Sequence, residues 1–157
     1  MIDADVTLFS ENNSRAFARR LATCLAAGDV IGLVGPLGAG KSVLARAMIE
    51  TLTGVDDAPS PTFGLVHSYP AEGFDVFHFD LYRLKTAEEA WELGLEAALD
   101  GGVSLIEWPE IIADLLPAET LLVAINPNPT DGARQVRLRG GERWREALAA
   151  LSETTDK

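Results

Sequence analysis

"GLVGPLGAGKSVLARAM", residues 32–48, sets an apolar run against a helical one, with three glycines, a lysine and a serine at the junction. The eight residues GPLGAGKS (35–42) match the pattern G-x-x-x-x-G-K-[ST] in full. The flanks supply the strand and the helix that this pattern requires. DVIGLV (29–34) is apolar on both faces, as a buried central strand should be, and SVLARAMIETLTG (42–54) reads as a helix stopped by Gly54. Gly35, Gly38 and Gly40 let the backbone turn successive N–H groups inward with no Cβ in the way. The helix that starts near Lys41 adds its positive N-terminal dipole. Lys41 can reach β- and γ-phosphates, and the Ser42 hydroxyl can ligate Mg²⁺. Gly35, Gly38, Ala39, Gly40, Lys41, Ser42 and Val43 are therefore the candidate cradle of a nucleoside triphosphate. A GTPase would carry Asn-Lys-x-Asp downstream. The nearest stretch, NPNPTD (126–131), does not match, so ATP is the expected nucleotide.

Outward from this loop, strands and helices alternate. SRAFARRLATCLAAG (14–28) is predicted as a helix with Ser14 as N-cap and Gly28 just past its end. FGLVHSY and FDVFHFDLYRL are predicted as strands joined by PAEG, and 86–102 as a helix weakened at Gly94. VSLIE (103–107) reads as a buried strand cut off by Pro109. EIIADLL reads as a short helix, TLLVAI and RQVRLR as strands, and ERWREALAALSE as a closing helix. The expected fold is α/β: a three-layer sandwich of the P-loop NTPase kind, with a mostly parallel sheet, some antiparallel additions and one domain over 1–157.

The formal charge of −11 argues against direct nucleic-acid binding, which needs a basic surface. The N-terminus lacks a signal-peptide pattern and no apolar run reaches about 18 residues, so a cytoplasmic protein without membrane contact is expected. Cys24 is the sole cysteine and reads as a packing residue. Ten acids and no Lys or Arg fall between Lys85 and Arg134, and arginines then cluster at 134, 137, 139, 143 and 145. Glu88, Glu92 and Glu96 have the spacing of one helix face, a candidate docking face for a basic partner.

A Mg²⁺-dependent P-loop protein holds its metal through an acid at the end of a buried strand. Glu107, after VSLI, and Asp80, after VFHF, both qualify. Strand alternation puts His78, Asp80 and Tyr82 on one face, a pattern of either an exposed edge or a polar site. Asp80 is assigned to the site as a second acid that orients water or the metal's water shell. His78 and Tyr82 read as ordinary strand residues. In SPTF (60–63), two prolines hold an extended loop in which Thr62 offers a hydroxyl, a candidate γ-phosphate switch.

Four motifs now stand in order: GPLGAGKS, SPTF, HFDLYRL and IEWPE. Together they closely resemble the TsaE family, the P-loop ATPase component of bacterial threonylcarbamoyladenosine synthesis on tRNA. The resemblance is strongest over about residues 28–110. It implies an ATPase that supports the transferase TsaD and its paralogue TsaB, with tRNA met only through those partners. It also implies that Ser42 and Glu107 hold Mg²⁺ and that Asp80 serves hydrolysis, while Glu11 and Gly132 lie near the nucleotide. Phe63 stands where the family frequently has tyrosine. The competing functions are a small-molecule P-loop kinase, which would need an arginine-rich lid from the cluster at 134–145 or from Arg83, and a nucleotide-gated binding module without hydrolysis.

Overall fold

The computed structural model describes residues 1–61, 65–128 and 132–153. Seven strands form one sheet: β1 (Ile2–Leu8), β2 (Val30–Val34), β3 (Val66–Pro70), β4 (Asp75–Asp80), β5 (Val103–Glu107), β6 (Leu121–Pro127) and β7 (Arg134–Gly140). Their spatial order is β1-β7-β6-β2-β5-β4-β3. The central four, β6-β2-β5-β4, run parallel, and β1, β7 and β3 add antiparallel pairings at the two sides. The α/β class is as expected, but "mostly parallel" holds only for the centre, because three of the six pairings are antiparallel.

One sheet face is covered by α1 (Glu11–Ala22), α2 (Lys41–Thr53) and α5 (Arg145–Glu153). Phe17 and Leu21 of α1, Leu44 and Met48 of α2, and Leu148 of α5 pack on Ile31, Leu33, Leu105 and Val123. The other face of β2, β5 and β4 is covered by α3 (Glu89–Glu92), α4 (Leu95–Leu99) and a kinked 3-10 stretch at Pro109–Leu115. There Phe79, Ile106, Leu95 and Ile112 form a second core. Each fully buried Leu, Ile or Phe contributes about 1.5–3 kcal/mol relative to exposure. On β1 and β7 that same face carries exposed cross-strand pairs, Arg139–Asp3 at 2.9 Å and Arg137–Asp5 at 3.2 Å.

Three local expectations are corrected. The first helix starts earlier than predicted. Ser10, not Ser14, is its N-cap, accepting from Asn13 N–H at 3.1 Å, and Glu11 suits the dipole in the first turn. Ser14 is buried inside the helix, and Gly28 lies six residues past its end. Secondly, β1 was not foreseen, although IDADVTL alternates cleanly between apolar and polar.

Thirdly, the helix expected over 86–102 is broken. Gly94 sits at φ +91° between α3 and α4, which turns the chain so that Ala90 and Leu95 both reach the second core. Glu88, Glu92 and Glu96 therefore do not share one continuous helix face. Glu89 folds back to accept from the N–H groups of Lys85 (2.7 Å) and Thr86 (3.2 Å). These bonds hold its carboxyl below the usual range.

The break makes Gly94→Ala diagnostic. An added Cβ meets nothing within 4 Å, so the cost is that of a left-handed L-residue, about 1–2 kcal/mol. In a continuous helix the same change would stabilise by about 1 kcal/mol. Thermal melting should show a drop of several degrees, and a rise would restore the unbroken helix.

Candidate nucleotide site

The glycine loop joins β2 to α2 at the carboxyl end of the parallel strands, where ligands of open α/β sheets bind. Gly35 packs against the neighbouring strand, and a Cβ there would lie 2.5 Å from the Ile125 carbonyl oxygen, so only glycine fits. Past the loop, α2 begins at Lys41 with no side chain capping its first turn, so its leading N–H groups have no side-chain acceptor.

β4 and β5 bring the acids to this point. Their parallel register sets Asp80 directly opposite Glu107, and β2 sets Leu33 on the other side of Glu107. Both carboxylates are buried. Ser42 Oγ donates toward Glu107 Oε1 at 3.1 Å, with Oε2 at 3.3 Å, across 65 residues of sequence. Asp80 Oδ1 accepts from Tyr82 N–H at 3.1 Å.

Lys41 is only 4 % exposed. Its ammonium donates to the Gly35 carbonyl and lies 3.4 Å from the centre of the Trp108 ring. Burial pushes its pKa down, while Glu107, Glu110 and Asp80 pull it back up in part. Trp108 itself is held at φ +59° just before Pro109, a conformation that costs an aromatic residue about 1–3 kcal/mol and clusters at functional sites. Tyr82, half exposed, packs on the Trp108 ring at 4.9 Å.

Two clefts flank the loop. The larger, about 440 Å³, is lined by Lys41, Ser42, Ser60, Asp80, Tyr82, Arg83, Glu107 and Trp108, among others. The smaller, about 160 Å³, is lined by Ser10, Glu11, Ser14, Val43, Gly132 and Arg134, with Leu8 and Gly40. Gly40 and Val43 line both. The structure thus brings Glu11 and Gly132, which lie 121 positions apart, to one cleft beside the glycine loop. Thr62 and Phe63 lie outside the described residues.

Three side chains at this site were missed or misread in the sequence. His78 is no ordinary strand residue. β4 is an inner strand, and the ring is fully buried with Nε2 2.7 Å from Glu107 Oε2. Its signal was the alternation that aligned it with Asp80. Trp108 was visible only as part of IEWPE. Arg134 stands in the sequence only as the first of the C-terminal arginine cluster. Yet its Nε donates to the Ala39 carbonyl at 2.8 Å and its Nη1 to the Gly132 carbonyl at 2.8 Å. That contact spans 95 positions and has no local signal.

A family model described as "Threonylcarbamoyl adenosine biosynthesis protein TsaE" matches residues 8–136. The chain belongs to the TsaE family. A Rickettsia bellii tRNA threonylcarbamoyladenosine biosynthesis protein TsaE is 42 % identical over 127 residues, covering 80 % of this chain and 87 % of the relative. The Bacillus subtilis TsaE is 35 % identical over 141 residues, covering 88 % and 87 %. The crystal structure of Bacillus subtilis YdiB superposes with a TM-score of 0.80 at 27 % identity, covering 99 % of this chain and 97 % of that one. Among the described residues no helix is long and apolar enough to cross a membrane.

Lys41 sets function against stability. A lysine whose folded pKa lies below its unfolded one costs stability when charged. That cost is present below the folded pKa and fades as pH rises through the unfolded value. At neutral pH Lys41→Met should therefore melt no lower than the parent in the absence of nucleotide. Its affinity for a nucleoside triphosphate should fall by on the order of 1.5–3 kcal/mol, the scale of a charged contact. Calorimetry and thermal melting check both halves. A lower melting temperature with unchanged affinity would make Lys41 a structural residue.

Proposed function

We propose that this chain is a Mg²⁺-dependent ATPase subunit that supports threonylcarbamoyl transfer to the adenosine beside the anticodon of tRNA. The partners that perform the transfer are, on this reading, TsaD and TsaB. The observation that carries it is the Ser42–Glu107 contact at the head of α2. A hydroxyl and a carboxylate at 3.1 Å are hard oxygen donors of the kind Mg²⁺ takes, with phosphate oxygens and waters filling the rest of its shell.

Each residue then has a task. The loop N–H groups and the start of α2 receive the phosphates. Lys41 moves from the Gly35 carbonyl and the Trp108 ring to the phosphate oxygens, where its charge opposes the charge that builds up in the transition state. Ser42 and Glu107 would hold Mg²⁺, which would supply neutralisation of the phosphate charge. Asp80 has one oxygen fixed by Tyr82 N–H and uses the other to orient the attacking water. Glu11, Gly132 and Arg134 line the cleft on the side away from the acids, where the nucleoside is seated.

The kinase alternative needs arginines poised over the phosphates. Of the C-terminal cluster, Arg137 and Arg139 pair with Asp5 and Asp3 on the sheet, Arg143 with Asp29, and Arg145 with Glu142. Only Arg134 of that cluster reaches the loop, and it binds backbone carbonyls. The net charge of −11 suits a subunit that leaves tRNA to its partners.

ATP turnover measured with and without purified TsaD–TsaB tests the activity, and phosphorylation of any added acceptor would favour the kinase. A magnesium titration separates the two acids. Glu107→Gln should raise the Mg²⁺ concentration needed for turnover. Asp80→Asn should lower the rate on the order of 10²-fold with nucleotide still bound. A larger magnesium defect in Asp80→Asn reverses the two roles.

A further inference from the structure

His78 has no task in the chemistry described above, yet its placement is costly. The imidazole is fully buried in an inner strand on the sheet face that α1 and α2 cover. An apolar side chain would pack there without a polar group to satisfy. Its one hydrogen bond runs between Nε2 and Glu107 Oε2 at 2.7 Å. An ionised carboxylate only accepts, so Nε2 carries the proton and donates. Nδ1 is buried with no hydrogen-bond partner among the described residues. His78 does not line the cleft, whereas Glu107 does. Whatever the ring does for a ligand, it does through Glu107.

Two donors thus bracket one carboxylate. Ser42 Oγ sits 3.1 Å from Oε1, and His78 Nε2 sits 2.7 Å from Oε2. The Ser42 hydroxyl is exchangeable, since it can rotate its proton away when its oxygen is needed as a ligand. The His78 ring is locked by packing on all sides and cannot. We propose that His78 is a positioning residue for the divalent-cation site. Its Nε2–H clamps Oε2, fixes the plane of the Glu107 carboxylate, and leaves Oε1 beside Ser42 for the metal. Partners of this kind, once removed, typically cost 10- to 100-fold in metal affinity. The inference rests on the nucleotide–Mg²⁺ reading of the site.

Manganese binding reads the clamp without any turnover. Mn²⁺ is titrated into the ADP complex of the full chain and followed by electron paramagnetic resonance. Nucleotide affinity in EDTA and thermal melting are measured alongside. His78→Met keeps bulk and removes the donor. His78→Asn keeps a polar group but ends near the Nδ1 position. His78→Gln can place an amide N–H where Nε2 was. Met and Asn should weaken Mn²⁺ binding about 10- to 100-fold with nucleotide affinity in EDTA unchanged, and Gln should stay within a few-fold of the parent. Should the Met variant fail to fold, the Asn–Gln contrast decides. Equal Mn²⁺ affinity in Asn and Gln, or parental affinity in Met, overturns the clamp. A parent chain that binds no Mn²⁺–ADP at all overturns the nucleotide reading instead.

Discussion

A carboxylate buried where two strands end against the start of a helix organises this molecule. Glu107 is almost wholly removed from water, a placement that is costly for a charge unless it is paired and hydrogen-bonded. Compensation comes from three separate parts of the chain: Ser42 at the head of α2, His78 from β4, and the field of Lys41. Each partner depends on a different piece of architecture. Ser42 needs the glycine loop, His78 needs the parallel pairing of β4 with β5, and Lys41 needs the Trp108 ring above it. Removing the Ser42 or His78 donor would leave the buried carboxylate under-compensated, which is far more costly than losing a surface ion pair, whereas removing Lys41 also relieves that ammonium's own burial.

The same economy explains why the site holds strain. Trp108 is left-handed against the extended preference that the following proline imposes, and its N–H donates to the Leu33 carbonyl. In exchange its ring offers a face to the buried ammonium of Lys41 and to Tyr82. A positive charge is thereby buried at the edge of the cleft, close to three acids with which it makes no direct ion pair among the described residues. Such a site is poorly stabilised as it stands and well prepared for an anion, which is the usual relation between a functional site and its own stability.

Much of this was readable in order along the chain. GPLGAGKS between an apolar strand and a helix fixed β2, the loop and α2. The hairpin β3–β4 and the buried strand ending at Glu107 followed from alternation, turn residues and Pro109. What escaped depends on distance or on competition between local signals. Ser14 reads as the cap in sequence, but the cap closes at Ser10, where Asn13 N–H donates to Ser10 Oγ and Asn13 Oδ1 accepts from Phe9 N–H. Gly94 reads as a weak point in a helix, but whether the chain breaks there is decided by the core that Ala90 and Leu95 must both reach. His78 and Asp80 share a face by simple parity. That their neighbour is Glu107 depends on the register between two strands that sequence spacing does not state.

Arg134 bears on how far along the chain the glycine-loop unit extends. The recognisable motifs end near residue 110, and a fragment stopping there would still contain the whole glycine loop. It would lack the guanidinium that holds the Ala39 carbonyl from the first residue of β7, and also the Ile125 carbonyl against which Gly35 is fitted. The loop is thus moulded from outside by the last two strands, which carry none of its signature. A fragment that keeps the shape of this loop must run past β7, and grafting the eight motif residues onto another strand and helix would transplant the letters without the mould.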